Sequence, residues 1–486
     1  MQNKFMELRE KYPVFTYEKY EIVNCEDKLV ISFFFHIGDF ISFQPKWEFV
    51  KKHKEINYES EEIVNRLAFH LGMVELISYW KCICSPLVKI KAGCLNKEQI
   101  TWWKQQYFLG LGEFFYTNGI ETSMEEFMQI EAEEEQEGKP ETSTAPEGIT
   151  ELYASPDNGS VRGVLKTDFQ TAYEKSGCLI PIGGGKDSNV TMELLRHRKN
   201  DNLCYMINKR EVSLKCTALA GYTPEEVVIV RRSLDGRLLM LNKEGYLNGH
   251  TPFSAIVAFS SVLTAYLFDK RYVVLSNEAS ANESTVEGTL VNHQYSKSFD
   301  FERDFVEYEE KYIGSKVFYF SLLRPFSELQ IARFFAEHEK YHDIFRSCNV
   351  GSKVDAWCSH CPKCLFVGII LSPFLKPEKL RAIFGNDMLD DESLKITFEK
   401  LTGMLPEKPF ECVGTVEEAN AAVCMTIQKY EEEGLKLPRL FEYYKEKGLY
   451  HAFLKEEDNP FLCYYNEENH VPEEFVDRIK TLMLKK

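Results

Sequence analysis

The densest run of anion-binding groups in the chain is Gly183, Gly184, Gly185, Lys186, Asp187 and Ser188, preceded by the apolar Ile180, Pro181 and Ile182. Consecutive glycines let a backbone turn tightly and bring its N–H groups close to a ligand. A helix opening at this point adds unpaired N–H donors and partial positive charge. Lys186 supplies a cation and Ser188 a hydroxyl, so the run is a cradle for phosphate. Its spacing is neither G-x-x-x-x-G-K-[ST] nor G-x-G-x-x-G, the two commoner phosphate loops. Asp187 can hold Mg²⁺ against phosphate oxygens or cap the helix.

A second pattern is Cys348, Cys358, Cys361 and Cys364, of the form C-x9-C-x2-C-x2-C. Thiolates in close pairs suit tetrahedral Zn²⁺, and four protein ligands make such a site closed and structural. His360 is a substitute ligand, an iron–sulfur cluster is the alternative metal, and the remaining reading is four reduced thiols around a loop. Between these two patterns lie polar stretches. Glu278, within 276–280, follows a strand-like run, where α/β sheets bind ligands; it is a candidate for metal or substrate contact. Residues 291–298 contain His293, Tyr295 and Lys297, each able to transfer a proton when its surroundings tune it. His250 in 248–252 is a further contact candidate. Cys412 lies in the short run 409–414, whose chemistry is not readable from the run itself.

These residues need a scaffold. Runs 17–23, 28–36 and 40–43 are rich in aromatic and β-branched residues and predict a small antiparallel meander. Helical spacing follows over 61–80 and 97–117. Residues 131–150 carry Glu131, Glu133, Glu134, Glu135 and Glu137, then Gly, Pro, Ser and Thr, a composition that cannot build a core. Beyond about 160, short apolar runs at 178–182, 203–207, 227–231 and 272–276 alternate with helical ones at 187–197 and 253–268. That alternation predicts a mainly parallel sheet with helices on both faces. Helices dominate from 326 onward. The expected organisation is an α+β domain over 1–130, an acidic linker or mobile loop over 131–160, an α/β catalytic domain with the cysteine site over 161–400, and a helical region over 401–486.

The chain has 486 residues, 44% hydrophobic and 27% charged, which is ordinary globular composition with room for a large core. A formal net charge of −17 argues against nucleic acid or an anionic membrane as the main partner. The N-terminus is charged and has no apolar run before a cleavage site, so no signal peptide is expected. Segment 251–268 has no formal charge, yet it carries Thr251, Ser254, Ser260, Ser261 and Thr264 and leads into a strand. It is expected to be a buried helix and not a membrane span. A cytoplasmic location is expected, where the 14 cysteines would be reduced.

The loop resembles the PP-loop, S-G-G-x-D-S, of the ATP pyrophosphatases, with Gly183 in place of the first serine. That resemblance implies an N-type ATP pyrophosphatase-like fold, ATP bound through Gly183, Gly184, Gly185, Lys186 and Ser188, Mg²⁺ held by Asp187, and cleavage to AMP and pyrophosphate. A C-terminal cysteine cluster is also found in one PP-loop family, 7-cyano-7-deazaguanine synthase. Taken with 110–119, 248–252, 276–280, 291–298, 357–366 and 409–414, the chain resembles the MurL-type UDP-N-acetylmuramoyl-L-alanyl-L-glutamate epimerases of bacterial cell-wall synthesis. The likeness runs from about 17 to 423; the acidic linker and the tail after about 424 are peculiar to this chain. It implies inversion of the terminal L-glutamate of UDP-MurNAc-L-Ala-L-Glu through an adenylated carboxylate, without pyridoxal phosphate. Glu278, His293, Tyr295 and Lys297 would then share metal contact, proton transfer and enolate stabilisation, with Cys412 as a further candidate base. Two other readings stand beside it: another PP-loop enzyme making an amide, a nitrile or a modified tRNA base, and a non-catalytic nucleotide-binding regulator.

Overall fold

The computed structural model describes residues 2–51, 60–133, 175–282, 292–450 and 459–484. The acidic segment from 134 on, and Val291, lie outside the described residues.

Helix α1 (Gln2–Lys11) leads into β1 (Val14–Asn24), β2 (Lys28–Ile37), β3 (Ile41–Phe43) and β4 (Lys46–Val50). β2 buries Leu29, Ile31, Phe33, Phe35 and Ile37 at every second position, as a strand with one covered face must. The expected meander is present as β1 and β3 on β2 in antiparallel register, and β4, which the sequence reading did not anticipate, pairs with β2 in the same sense. Helix α2 (Glu61–Trp80) covers this face, capped by Ser60, whose hydroxyl accepts from the Ile63 N–H at 3.4 Å. Gly72 allows the close approach: a Cβ there would stand 1.9 Å from the Tyr17 hydroxyl.

Next come β5 (Leu87–Cys94), α3 (Lys97–Gly110), α4 (Gly112–Thr117) and β6 (Gln129–Glu133). The helix expected over 97–117 is two helices, broken at Leu111 between Gly110 and Gly112, the weakest helix formers after proline. The break re-aims α4 and with it Glu113. Strand β6 takes the first residues of the segment read as linker: its Ile130 is buried and pairs with Val88 of β5.

Then β7 (Cys178–Pro181), α5 (Lys186–Leu194), β8 (Leu203–Ile207), α6 (Glu211–Leu219), β9 (Val227–Ser233), α7 (Gly236–Lys243), α8 (Phe253–Leu267), β10 (Tyr272–Leu275), α9 (Phe299–Tyr308), β11 (Phe318–Ser321) and α10 (Glu328–Ala336) alternate. The C-terminal part is helical: α11 (Pro362–Leu371), α12 (Pro377–Phe384), α13 (Lys395–Leu401), α14 (Val416–Glu432), α15 (Arg439–Glu446) and α16 (Glu473–Met483).

All strands join one sheet in the order β11-β10-β7-β8-β9-β4-β2-β1-β5-β6, with β3 on β2. The pairs from β11 to β9 are parallel, and β9 meets β4 antiparallel. At that seam Arg232 donates to both carboxylate oxygens of Glu75 at 2.8 Å, and the Trp47 indole N–H donates to Glu75 at 3.2 Å. Glu75 is fully buried, so its charge needs that bidentate partner. Side chains of the parallel strands alternate between two cores. Leu179 and Val273 face the core shared with α2 and α8, while Cys178, Ile180 and Val274 face the one built with α10, α11 and α14. The fold is the expected mixed α/β type, a mainly parallel sheet flanked by helices with a helical C-terminal part. Segment 251–268 forms the buried α8. Among the described residues no helix is long and apolar enough to cross a membrane.

Candidate active site

The site lies at the carboxyl ends of β7, β10 and β11. The glycine loop joins β7 to α5, whose N-cap is Gly185 and whose N-terminus no side chain caps. Its first N–H groups are thus offered to a ligand. Gly184 has φ +83°, and a Cβ on it would come within 2.9 Å of Val212, so only glycine fits. The Ser188 hydroxyl donates to the Gly185 carbonyl at 3.2 Å. Lys186 is buried and paired with both Asp187 and Glu328. Burial works against its charge, but Asp187, Glu328 and Glu278 outweigh that and raise its pKa. Burial pushes the Glu328 carboxyl up to about 8 against the pull of Lys186. Three carboxyl groups around one ammonium make an oxygen-rich mouth to the loop, the donor set a hard cation prefers.

Beside it stands a thiol. Cys412 Sγ accepts from the Lys297 ammonium at 3.1 Å and lies 3.8 Å from His293 Nε2. The other ring nitrogen of His293 is hydrogen-bonded to Glu113. His250 Nδ1 approaches the same carboxylate at 3.0 Å, with its ring 4.8 Å from that of His293. Burial raises the thiol's pKa, but Lys297 first and His293 next overcome this and bring Cys412 down to about 6. Burial opposes the charge on His293, yet Cys412 and Glu113 lift it to about 9. At neutral pH the pair is therefore thiolate and imidazolium. Burial drops His250 to about 4, so it is neutral. Lys297 feels the charges of Cys412, Glu278 and Asp187, which raise its pKa against burial. Its charge thereby couples the thiol to the acidic groups at the glycine loop.

Elements far apart in sequence hold these groups. Arg324, fully buried just after β11, donates to the Glu278 carbonyl at 2.7 Å and the Lys297 carbonyl at 2.5 Å, and its charge is met by Glu302 at 3.1 Å. The Cys412 segment is pinned by Lys363 to the Cys412 carbonyl, by Gln294 to the Val413 carbonyl at 3.1 Å and by Lys408 to the Gly414 carbonyl at 3.0 Å. Lys81 holds the loop before α8 through the Gly249 and His250 carbonyls.

The four cysteines of the second pattern converge. Sγ separations are 3.8 Å for Cys348–Cys361, 3.7 Å for Cys358–Cys364 and 3.4 Å for Cys361–Cys364. Tetrahedral Zn–S bonds of about 2.3 Å put sulfurs about 3.8 Å apart, so this set fits a zinc ion. His360 is exposed and bonded to the Cys358 carbonyl at 2.7 Å, outside the sulfur set. The knuckle adjoins the thiol: Asn349 donates to Glu411 at 2.6 Å, and Lys363 sits between Cys361 and Cys364.

Of the residues singled out from sequence, Lys186, Asp187, Glu278, His293 and Lys297 gather here together with Cys412 and His250. Tyr295 stands apart, its hydroxyl donating to Gln106 at 3.1 Å within the core. Sequence reasoning missed Glu113, Arg324, Glu328 and Lys363. Glu113 lies in the 110–119 run and Lys363 within the cysteine motif, so both had a signal. Glu328 reads as an ordinary first-turn acid, beside the capping box of Ser327 and Gln330.

Family comparison finds the MurL N-terminal domain over residues 6–322 and the MurL C-terminal domain over residues 344–443. A protein of Xanthomonas oryzae pv. oryzae is 34% identical over 373 residues, covering 74% of each chain. One of Micromonospora sp. is 38% identical over 365 residues, again 74% of each. One of Salinispora tropica is 40% identical over 253 residues, 51% of this chain and 55% of its own. Each of the three is named UDP-N-acetyl-alpha-D-muramoyl-L-alanyl-L-glutamate epimerase. No solved structure matches.

Proposed function

The chain belongs to the MurL family, and from that premise we propose that it is an epimerase that inverts the terminal L-glutamate of UDP-MurNAc-L-Ala-L-Glu in peptidoglycan precursor synthesis, driven by ATP cleavage to AMP and pyrophosphate. The observation that carries this reading is the unbroken series Lys297, Cys412, His293 and Glu113, proton-exchanging groups in mutual contact beside an uncapped phosphate loop.

An α-proton next to a free carboxylate resists removal, because a second negative charge would develop beside the first. Adenylation neutralises the carboxylate. Gly183, Gly184, Gly185, Lys186 and Ser188 hold the phosphates in this scheme. Asp187, with Glu278 and Glu328 nearby, holds the Mg²⁺ that offsets phosphate charge. Lys186 then exchanges part of its carboxylate pairing for phosphate. At the reacting carbon, His293 transfers the proton with its ring oriented by Glu113, and the Lys297 ammonium faces the enolate oxygen as charge develops. Tyr295 takes no part. The four cysteines hold Zn²⁺ in a closed, structural site that supports the Cys412 segment.

The test is incubation with UDP-MurNAc-L-Ala-L-Glu, ATP and Mg²⁺ in deuterated water. AMP, pyrophosphate and deuterated D-glutamate after hydrolysis are expected together. AMP without D-glutamate, or inversion without nucleotide, overturns the reading.

A further inference from the structure

An inversion that uses two proton carriers needs one on each side of the carbon. Cys412 and His293 do not offer that: the sulfur lies 3.8 Å from Nε2 and 3.1 Å from the Lys297 ammonium, with no room for a carbon between sulfur and imidazole. Their arrangement is that of an activated nucleophile. A sulfur faces one imidazole nitrogen and a carboxylate orients the other, the order of contacts that serves acyl transfer on many unrelated folds. The lowered pKa of the thiol agrees with this geometry.

We propose that Cys412 attacks the activated carboxyl of the substrate and carries the glutamyl end as a thioester, on which the inversion takes place. This rests on the adenylation reading above. In the first step the thiolate forms a C–S bond to the acyl carbon and the C–O bond to AMP breaks. The electron pair leaves with the AMP phosphate, which takes the proton from His293 Nε2. The imidazole, now neutral, removes the α-proton. The resulting enolate, one carbon from the sulfur, lies against the Lys297 ammonium. Water on the opposite face gives a proton to the α-carbon and restores the C–H bond in the inverted sense, and the hydroxide it leaves takes the α-proton from His293, whose imidazole is neutral again. His293 then takes a proton from water, hydroxide adds to the carbonyl, the C–S bond breaks, and its electron pair returns to Sγ. Thiolate and imidazolium are regenerated, and the sum is ATP plus water to AMP and pyrophosphate. A thioester keeps the α-proton acidic and resists water longer than a mixed anhydride. The glutamyl carbon thus has time to invert before release.

The experiment is acid quench of the full-length protein mixed with UDP-MurNAc-L-Ala-L-Glu, ATP and Mg²⁺, at millisecond times for wild type and at minutes for His293→Asn, followed by intact and peptide mass measurement. His293→Asn removes the base that releases the acyl group. It is expected to form one AMP per active site and stall, with the peptide carrying Cys412 heavier by the substrate less water. Neutral hydroxylamine strips that mass, and Cys412→Ala never shows it. AMP formation by both proteins with no adduct on either overturns the thioester while leaving adenylation in place. If wild type forms no AMP at all, the acyl donor is missing and the adenylation reading falls first, taking this step with it.

Discussion

Two groups of cysteines sit side by side in the C-terminal half and teach opposite lessons about the same side chain. Cys348, Cys358, Cys361 and Cys364 face one another, sulfur to sulfur, at 3.4 to 3.8 Å. Cys412 faces no other thiol. Its neighbours are an ammonium and an imidazole brought from residues 297 and 293, the latter backed by a carboxylate from residue 113. A thiol surrounded by thiols is a metal ligand in waiting, whereas a thiol surrounded by cations is an ionised nucleophile. The difference lies in the company each sulfur keeps.

The contrast can be broken most forcefully by deleting one sulfur from each group. Cys412→Ala should lower epimerisation by about 10³-fold or more, with metal content and thermal unfolding as in wild type. Cys361→Ala should lose the metal and drop the unfolding midpoint by at least about 5 °C. Metal analysis and circular dichroism of both variants check this, and a Cys412→Ala protein without metal would merge the two groups into one.

A smaller effect is expected from the carboxylate behind the imidazole. Glu113→Gln keeps the shape but removes the charge that orients and protonates His293, and kcat should fall by about 10²-fold. Steady-state assay of AMP release and inversion reads it; an unchanged kcat would reduce Glu113 to a loop contact.

The mildest test sharpens the comparison without abolishing activity. Alkylation of Cys412 by iodoacetamide should rise with pH through about 6 and level off near neutrality, since the thiolate form is present above that value. Cys82 and Cys178, pushed up by burial to about 12, should stay unreacted over the same range. Lys297→Met removes the largest stabilising charge, so the profile should move upward and the rate at pH 7 fall by about 10-fold. Mass mapping of the alkylated peptides at each pH distinguishes this from a fixed profile. Epimerisation should follow the ionised pair. It should decline below about 6 as Cys412 takes a proton and above about 9 as His293 gives its proton up.

Much of the scaffold was legible because its signals are local. The strand at 203–207 and the helix at 61–80 coincide with β8 and α2, since a period of two or of 3.6 is written in consecutive residues. The strands β4, β5, β6 and β11 escaped notice. β11 has four residues and no alternation to read, and it gains its conformation from pairing with β10. The break at Leu111 also went unread, because a single helical period runs through Gly110 and Gly112.

The site divides along the same line. Its glycine loop and its four-cysteine cluster are short motifs whose spacing alone brings their groups together, because a strand-to-helix turn and a cysteine loop are formed by neighbours in the chain. Family membership was written there as well. The state of Cys412 was not, since it depends on charges from three distant segments and on how much water the fold removes around them. Only the tertiary structure sets a carboxylate from α4, an imidazole and an ammonium from the turn before α9, and a thiol from the segment before α14 in one low-dielectric place. It also sets Tyr295 aside: the turn that presents His293 and Lys297 to the thiol aims the tyrosine, two residues from each, at Gln106 in the core.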